Sequence, residues 1–178
     1  SRVVLMDDAF LYQAFTEKLA VEGRLDFSIP GFHGADFLSA PIYLFTHSSS
    51  AVAILDIIAA FIGLAMMYLA VNEIFKDKIL GIFASYIYML NLLDYSNSLR
   101  GHHHTVMITL VLLGIFLLFK GSRWAFLPLG LSYIVRPFGI ALAPLFLFQR
   151  KFKQFFLSLI FPALYVAAEY AQIGKLNI

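Results

Sequence analysis

Cysteine is absent from this 178-residue chain, and charged residues make up only 13% of it. Without cysteine the chain has no disulfide framework, no thiol nucleophile and no cysteine-based metal site. Soluble domains carry about a quarter charged residues, so the low charge content and a mean hydropathy of +0.82 argue against a water-soluble domain. The net charge of +2 is small and the basic residues are scattered, which argues against a nucleic-acid partner.

Hydrophobic residues make up 61% of the chain and include 19 phenylalanines, a composition that suits a membrane interior. From residue 51 onward they form a series of apolar runs with no internal repeat. The runs are Ala51–Phe75, Ile79–Leu93, Thr105–Phe119, Trp124–Val135, Phe138–Phe148 and Phe155–Ala171. A spanning helix needs about twenty apolar residues. We therefore predict an all-α membrane protein in which residues 51–178 form one polytopic transmembrane helix bundle.

Residues 1–50 are predicted to form an outer region that precedes this bundle. Only four apolar residues, Val3 to Met6, come before the first acidic residue, and we expect them to be the last turn of an upstream membrane helix. Ala9–Glu22 then predicts an amphipathic helix at the membrane interface. Its apolar face is Leu11, Phe15 and Leu19, and its polar face is Gln13, Thr16, Glu17 and Lys18. The next apolar piece, Asp36–Phe45, is too short to cross a bilayer and is predicted to be interfacial or re-entrant.

The basic residues indicate which side of the membrane each connection faces. Seven of them lie close together in every second connection, and the positive-inside rule assigns such short basic loops to the cytoplasm. They are Lys76, Lys78, Lys120, Arg123, Arg150, Lys151 and Lys153. Residues 1–50 and the alternate connections therefore face outward, which makes Asp7 and Asp8 extracytoplasmic.

Asp7 and Asp8 are adjacent carboxylates at the start of the interfacial helix. Asp8 can cap a helix beginning at Ala9, because a carboxylate accepts the free backbone N–H groups of a first turn. That leaves Asp7 without a structural reason. A paired acid at a membrane surface is costly unless water, a partner or a substrate uses it. The pair is therefore a candidate for chemistry.

Arg136 is the second candidate, because the run before it is too short to carry it across the membrane. Trp124–Val135 spans about 18 Å as a helix, against a hydrocarbon core of about 30 Å. Arg136 is then expected in the outer half of the membrane, and the Pro137 that follows it predicts a broken helix there. A guanidinium at that depth requires an anion, and phosphate fits its fork of donors. The alternative is a structural salt bridge to Asp94 or Glu169.

Arg100 and the histidines that follow it form the third candidate, a polar loop on the outer side. His102 and His104 alternate along an extended chain and could share a side that binds a metal ion or a phosphate. No carboxylate stands at ligand spacing, so a metal is not supported and no cofactor is predicted; a solvated loop is the alternative. Asp56, near the outer end of the longest apolar run, is expected only to reach the interface.

Four short motifs, in their order, resemble the GT-C superfamily of membrane glycosyltransferases, in its prokaryotic branch related to mannosyl- and arabinosyltransferases. Asp7 to Tyr12 is similar to the family's Asp-Asp-x-Phe motif, and Gly34 to Tyr43 to the segment that ends its first outer loop. Ser98 to Thr105 stands where a Ser-x-x-Gly-Met-Glu-Thr-like motif lies, and Arg136 to Gly139 resembles Arg-Pro-Glu-Gly. The resemblance covers nearly the whole chain and corresponds to the family's conserved front module.

The resemblance implies an enzyme that transfers a sugar from a polyprenyl-phosphate donor to an acceptor hydroxyl on the extracytoplasmic side. By motif, Asp7 or Asp8 is the catalytic base and Arg136 a donor-binding residue. The other residues expected to bind substrate are Arg100, His102, His103 and Asp36. Two acidic positions of the family are lost, since His102 or His103 replaces Met-Glu and Phe138 replaces Glu. The alternative is therefore a non-catalytic membrane module that binds a lipid phosphate or a partner subunit.

Overall fold

The computed structural model describes residues 8–23, 33–48, 50–94 and 103–173, and the regular elements in these ranges are all helical. The α-helices are α1 (Asp8–Glu22), α2 (Asp36–Thr46), α3 (Ala51–Phe75), α4 (Lys78–Asp94), α5 (His104–Phe119), α6 (Phe126–Val135), α7 (Pro144–Phe148) and α8 (Phe152–Ile173). Two 3₁₀ helices, His33–Ala35 and Pro137–Leu142, precede α2 and α7. The all-α prediction is confirmed, and each apolar run from residue 51 onward is helical close to its predicted bounds.

Local backbone chemistry explains where α3 ends and α4 begins. Lys76 adopts a left-handed conformation with φ 56°, and its N–H donates to the Asn72 carbonyl, which closes the last turn of α3. Asp77 follows, and its Oδ1 accepts the backbone N–H groups of Ile79 and Leu80 at 2.8 and 3.1 Å. This carboxylate caps α4, because the first N–H groups of a helix have no partner within the helix.

α3 packs against both α4 and α5, and a glycine lets the three helices approach closely. A Cβ added to Gly63 would lie 2.6 Å from Thr109 Oγ1 and 2.6 Å from Tyr88 Oη, so a larger residue at this crossing would push those side chains aside. The Thr109 hydroxyl donates to the Ala59 carbonyl at 2.7 Å, which joins α5 to α3 through a hydrogen bond inside the bundle.

A second core lies where α5, α6, α7 and α8 meet. Leu118, Leu129 and Phe146 are fully buried in it. Glycine again sets the distance between helices: a Cβ on Gly114 of α5 would lie 2.4 Å from Leu129 Cγ. α6 is therefore held between α5 and α8, with its first residues at one end of the bundle and Arg136 at the other.

α1 lies on α2 through a face that mixes aromatic and polar side chains. Tyr12, Phe15 and Thr16 are buried. Thr16 Oγ1 donates to Asp36 Oδ1 at 3.2 Å and lies 2.6 Å from Ser39 Oγ. The prediction that Thr16 belongs to the polar outer face of this helix is therefore wrong. Its hydroxyl is buried because it finds polar partners on α2, far along the chain, that helical periodicity does not reveal.

In the part of the chain that the structure describes, two helices are long and apolar enough to cross a membrane by length and composition: α3, and Phe152–Ala171 within α8. α5 and α6 are apolar but shorter. Large apolar side chains face away from the bundle along α4 and α8, among them Ile79, Phe83, Phe156 and Leu164. Surfaces of this kind are rare on soluble monomers and typical of interaction with membranes or partners. That the chain crosses a membrane several times stays a prediction.

Candidate functional site

Three predicted site residues, Asp7, Arg100 and His102, lie outside the described residues. Asp8 is the first residue of α1, and only its place in that helix is described. The remaining three stand at helix ends: Asp36 begins α2, His103 precedes α5 and Arg136 follows α6. The structure therefore describes Arg136, the predicted donor-binding residue, and α1, which carries Asp8, one of the two candidate bases.

These helix ends meet around one small apolar cluster. Ala35, Ala59, Val106 and Val135 are buried against one another, which brings together the starts of α2 and α5, the end of α6 and the first half of α3. The approach is closest at Gly34, where an added Cβ would lie 2.4 Å from the Ile134 carbonyl oxygen. The first 3₁₀ helix thus runs directly against the α6 backbone beside Arg136.

Arg136 lies at a break between two helices, as predicted. It is extended, with φ −153° and ψ 132°, between the last turn of α6 and the 3₁₀ helix that begins at Pro137. Its N–H donates to the Ser132 carbonyl at 3.0 Å, and its own carbonyl accepts the Gly139 N–H at 3.1 Å. Both backbone groups of Arg136 are thereby satisfied, as a helix broken within a membrane would require.

The Arg136 guanidinium lies over the Tyr12 ring, 5.6 Å from its centroid, in a cation–π contact. A second neighbour of that ring is His103, whose imidazole packs against it edge to face with centroids 4.6 Å apart. Both Tyr12 and His103 are buried. α1 therefore covers the ends of α5 and α6, and position 8 lies one helical turn before the residue that makes both contacts.

Asp56 completes this group, although the sequence suggested only that it reaches the interface. That expectation is wrong: Asp56 is 2% exposed, and neither of its carboxylate oxygens has a hydrogen bond of good geometry with the described residues. The groups that interact with it electrostatically are the His103 backbone N–H and the Arg136 guanidinium. We name Tyr12, Asp56, His103 and Arg136 the Arg136 cluster. An acidic residue inside a long apolar run is the sequence feature that could have identified Asp56 as a candidate site residue.

Asp36 is fully buried at the edge of this region. It accepts the Thr16 hydroxyl, and the Ser39 hydroxyl next to Thr16 donates to the Ala35 carbonyl at 3.2 Å. The network ties α1 to the segment that packs against α6. Its described contacts position other residues, and the prediction that Asp36 contacts substrate stays a prediction.

The sequence suggests Asp94 and Glu169 as alternative partners for Arg136. The Asp94 side chain lies outside the described part of the chain. Glu169 is buried near the end of α8. Asp56 is one acid whose charge interacts with Arg136. Among the described residues no group of three or more histidine or acidic side chains is placed to hold a metal ion.

Comparison of the chain with protein-family models, with curated proteins and with solved structures finds no match.

Proposed function

We propose that this chain is a multi-pass membrane glycosyltransferase of the GT-C type. It transfers a sugar from a polyprenyl-phosphate donor to an acceptor hydroxyl on the extracytoplasmic side. The resemblance of four ordered motifs motivates the proposal. The observation that carries it is the contact between Tyr12 of α1 and the Arg136 guanidinium, since it joins the helix of the predicted base to the predicted donor-binding residue.

The charges of the Arg136 cluster suit a phosphate at its edge. A guanidinium inside a membrane is retained where it has an anion to bind. Asp56 partly compensates Arg136 when no substrate is bound, and the Tyr12 ring holds the guanidinium plane in place. Arg136 is only partly buried, so a ligand can reach it. These features support donor binding at the outer end of α6.

The proposed reaction uses the candidate bases and Arg136. Asp7 or Asp8 accepts the proton of the acceptor hydroxyl while the hydroxyl oxygen attacks the anomeric carbon of the sugar. The bond between that carbon and the phosphate oxygen breaks, and the polyprenyl phosphate leaves with the electron pair. Arg136 stabilises the charge that develops on the leaving phosphate. General-base assistance of this kind contributes roughly 10²–10⁴-fold.

Sugar transfer by the purified protein, reconstituted in lipid with a radiolabelled polyprenyl-phosphate sugar, tests the proposal. Asp7→Asn and Asp8→Asn separately identify the base, and we expect the variant lacking it to lose roughly 10²–10⁴-fold in rate. Arg136→Gln should abolish donor binding. Glu22→Gln, at the far end of α1, is the matched control and should retain the wild-type rate. Full rate in both aspartate variants, with an active wild type, would contradict the assignment.

The second candidate is a membrane module that binds a lipid phosphate or a partner subunit without turnover. The observation that favours it is in the sequence: His102 or His103 and Phe138 stand at positions that are acidic in the family motifs. The same preparation separates the two. Donor binding that requires Arg136 but is indifferent to Asp7 and Asp8, with no transfer from any donor, would identify this function.

A further inference from the structure

A cavity of about 610 Å³ lies at the opposite end of α6 from Arg136. It opens between the connection that leads from α5 to α6 and the turn that joins α7 to α8. Its lining residues are Arg123, Trp124, Phe126, Arg150, Lys151, Phe152, Lys153, Gln154 and Leu157. Four of the nine are cationic, and none of these described lining residues is acidic. We call it the basic cavity.

The described acids nearest in the topology to this end of the bundle are already engaged. Glu73 pairs with Lys76 at the end of α3, and Asp77 caps the first turn of α4. Neither lines the basic cavity. Positive charge therefore accumulates there without a described counter-charge, so an anion would be attracted into it.

The backbone at Arg150 adds a second observation. α7 ends in a Schellman motif: the Arg150 N–H donates to the Leu147 carbonyl and the Lys151 N–H to the Phe146 carbonyl. The left-handed position of such a motif favours glycine, and α5 ends the same way with Gly121 at φ 82°. At the end of α7 that position is Arg150, with φ 55°. A cationic side chain beside the cavity therefore occupies a position that favours glycine.

Two hydrogen bonds hold the walls of the cavity together. The Lys151 ammonium donates to the Leu118 carbonyl at the end of α5 at 2.7 Å, and burial lowers the pKa of Lys151. Gln154 Nε2 donates to the Ser122 carbonyl at 3.4 Å. Gln154 Oε1 is buried with no partner among the described residues, so it offers an acceptor to a hydroxyl group. Arg123, Arg150 and Lys153 also line the cavity, and the Arg123 guanidinium lies 5.1 Å from the centroid of the Trp124 ring.

The surface next to the cavity is apolar and runs along α8. Phe152 lines the cavity, and Phe156, Ile160 and Leu164 follow at four-residue spacing, all exposed. Residues four apart lie on one face of a helix, so they form a continuous stripe that starts at the cavity. Trp124 is half-exposed at the rim, where an indole suits the boundary between head groups and hydrocarbon. A cationic recess that continues into an apolar stripe matches an anionic amphiphile better than a free anion.

We propose that the basic cavity binds the phosphate head group of an anionic phospholipid of the cytoplasmic leaflet, whose acyl chain lies along α8. Basic pockets between membrane helices on this side are known to suit such head groups. A head group with a free hydroxyl, as in phosphatidylglycerol, can also donate to Gln154 Oε1. The proposal rests on the membrane orientation given above and is independent of sugar transfer.

Trp124 is the only tryptophan of the chain and reports on this site directly. The full chain is reconstituted in phosphatidylcholine nanodiscs that contain a fixed fraction of brominated lipid, which quenches tryptophan fluorescence on contact. Brominated phosphatidylglycerol should quench Trp124 more than brominated phosphatidylcholine at the same fraction. The ratio of the quenching by brominated phosphatidylglycerol to the quenching by brominated phosphatidylcholine gives the lipid preference. Equal quenching by the two lipids would overturn the proposal.

Arg150→Gly removes one cation and relieves the left-handed backbone, so the variant keeps its fold. The phosphatidylglycerol preference should fall by about fivefold, the effect of one basic residue near an anionic surface.

Lys76→Gly is the matched control, because Lys76 has the same left-handed backbone and lies on the same side but outside the cavity. Its preference should not change. An equal fall in both variants would assign the effect to the general surface charge and overturn the site. Lys153→Gln, on α8, should behave as Arg150→Gly does.

A final arm distinguishes a lipid from a soluble anion. Inorganic phosphate is added to nanodiscs that contain brominated phosphatidylglycerol, with chloride at equal ionic strength as the control. If the lipid occupies the cavity, phosphate and chloride should reduce quenching equally, by screening alone. Selective loss of quenching on addition of inorganic phosphate would show that the cavity prefers a free phosphate to the lipid head group, and would overturn the proposal.

Discussion

Asp56 is buried inside the bundle, although the sequence predicts that it only reaches the membrane interface. A carboxylate buried without a hydrogen-bond partner costs more than a neutral side chain of the same shape, because desolvation of the charge is not repaid. The attraction of Arg136 opposes this cost but acts without direct contact. Groups of this kind are kept in proteins mainly where they serve a function.

We therefore expect Asp56→Asn to raise the free energy of unfolding by about 1 kcal/mol. Thermal unfolding in detergent measures it, with Asp77→Ala as a control of opposite sign. Asp77 accepts two backbone N–H groups, so its loss should lower the stability by about 1 kcal/mol. The rate of sugar transfer should fall in Asp56→Asn. A substitution that increases stability while it decreases activity indicates that the replaced group serves a function. A destabilised Asp56→Asn would instead make Asp56 a structural partner of Arg136.

Helix bounds could be predicted from the sequence because they depend on local chemistry. The α3 run is apolar apart from Asp56, Asn72 and Glu73. It ends at Lys76 and Asp77, whose backbone and side chain close one helix and cap the next. The buried face of α1 could not be predicted, since Thr16 is buried by partners on α2. The same limit applies to Asp56, whose burial depends on residues that arrive from α5 and α6.

Contacts between elements should be most sensitive at Gly34, where the first 3₁₀ helix touches the α6 backbone. In Gly34→Ala the new Cβ would lie 2.4 Å from the Ile134 carbonyl oxygen, a backbone atom that cannot rotate away. We expect a loss of about 1–3 kcal/mol in stability. Because the displaced segment lies beside Arg136, donor binding should weaken as well.

The comparison for this variant is Gly23→Ala at the end of α1. Gly23 has φ 67° and nothing within 4 Å of an added Cβ, and its N–H donates to the Leu19 carbonyl, which closes the helix. Its substitution should cost about 1 kcal/mol through backbone strain alone and should leave donor binding unchanged. Unfolding curves and donor-binding isotherms of both variants measure the difference. Equal donor affinity in the two would show that this contact does not position Arg136.

At the scale of the whole molecule, the two groups of functional interest lie at opposite ends of α6. The Arg136 cluster stands at its end, and the basic cavity at its beginning. Among the described residues, Arg136 stands with Asp56 at one end of α6, and four cations without a described acidic partner line the cavity at the other end. Those four cations are among the residues from which the positive-inside rule predicts the membrane orientation, and the orientation can be measured.

The natural absence of cysteine makes that measurement direct. Single cysteines at three exposed, uncharged positions leave the charge distribution intact: Ser50→Cys and Ala171→Cys on the predicted outer side, and Gln149→Cys on the predicted cytoplasmic side. In intact cells a membrane-impermeant maleimide should label the first two and reach Gln149→Cys only after permeabilisation. The cysteine-free parent chain is the control. Labelling of Gln149→Cys in intact cells would invert the orientation and move the Arg136 cluster to the cytoplasmic side, where an extracytoplasmic transfer reaction has no access to it.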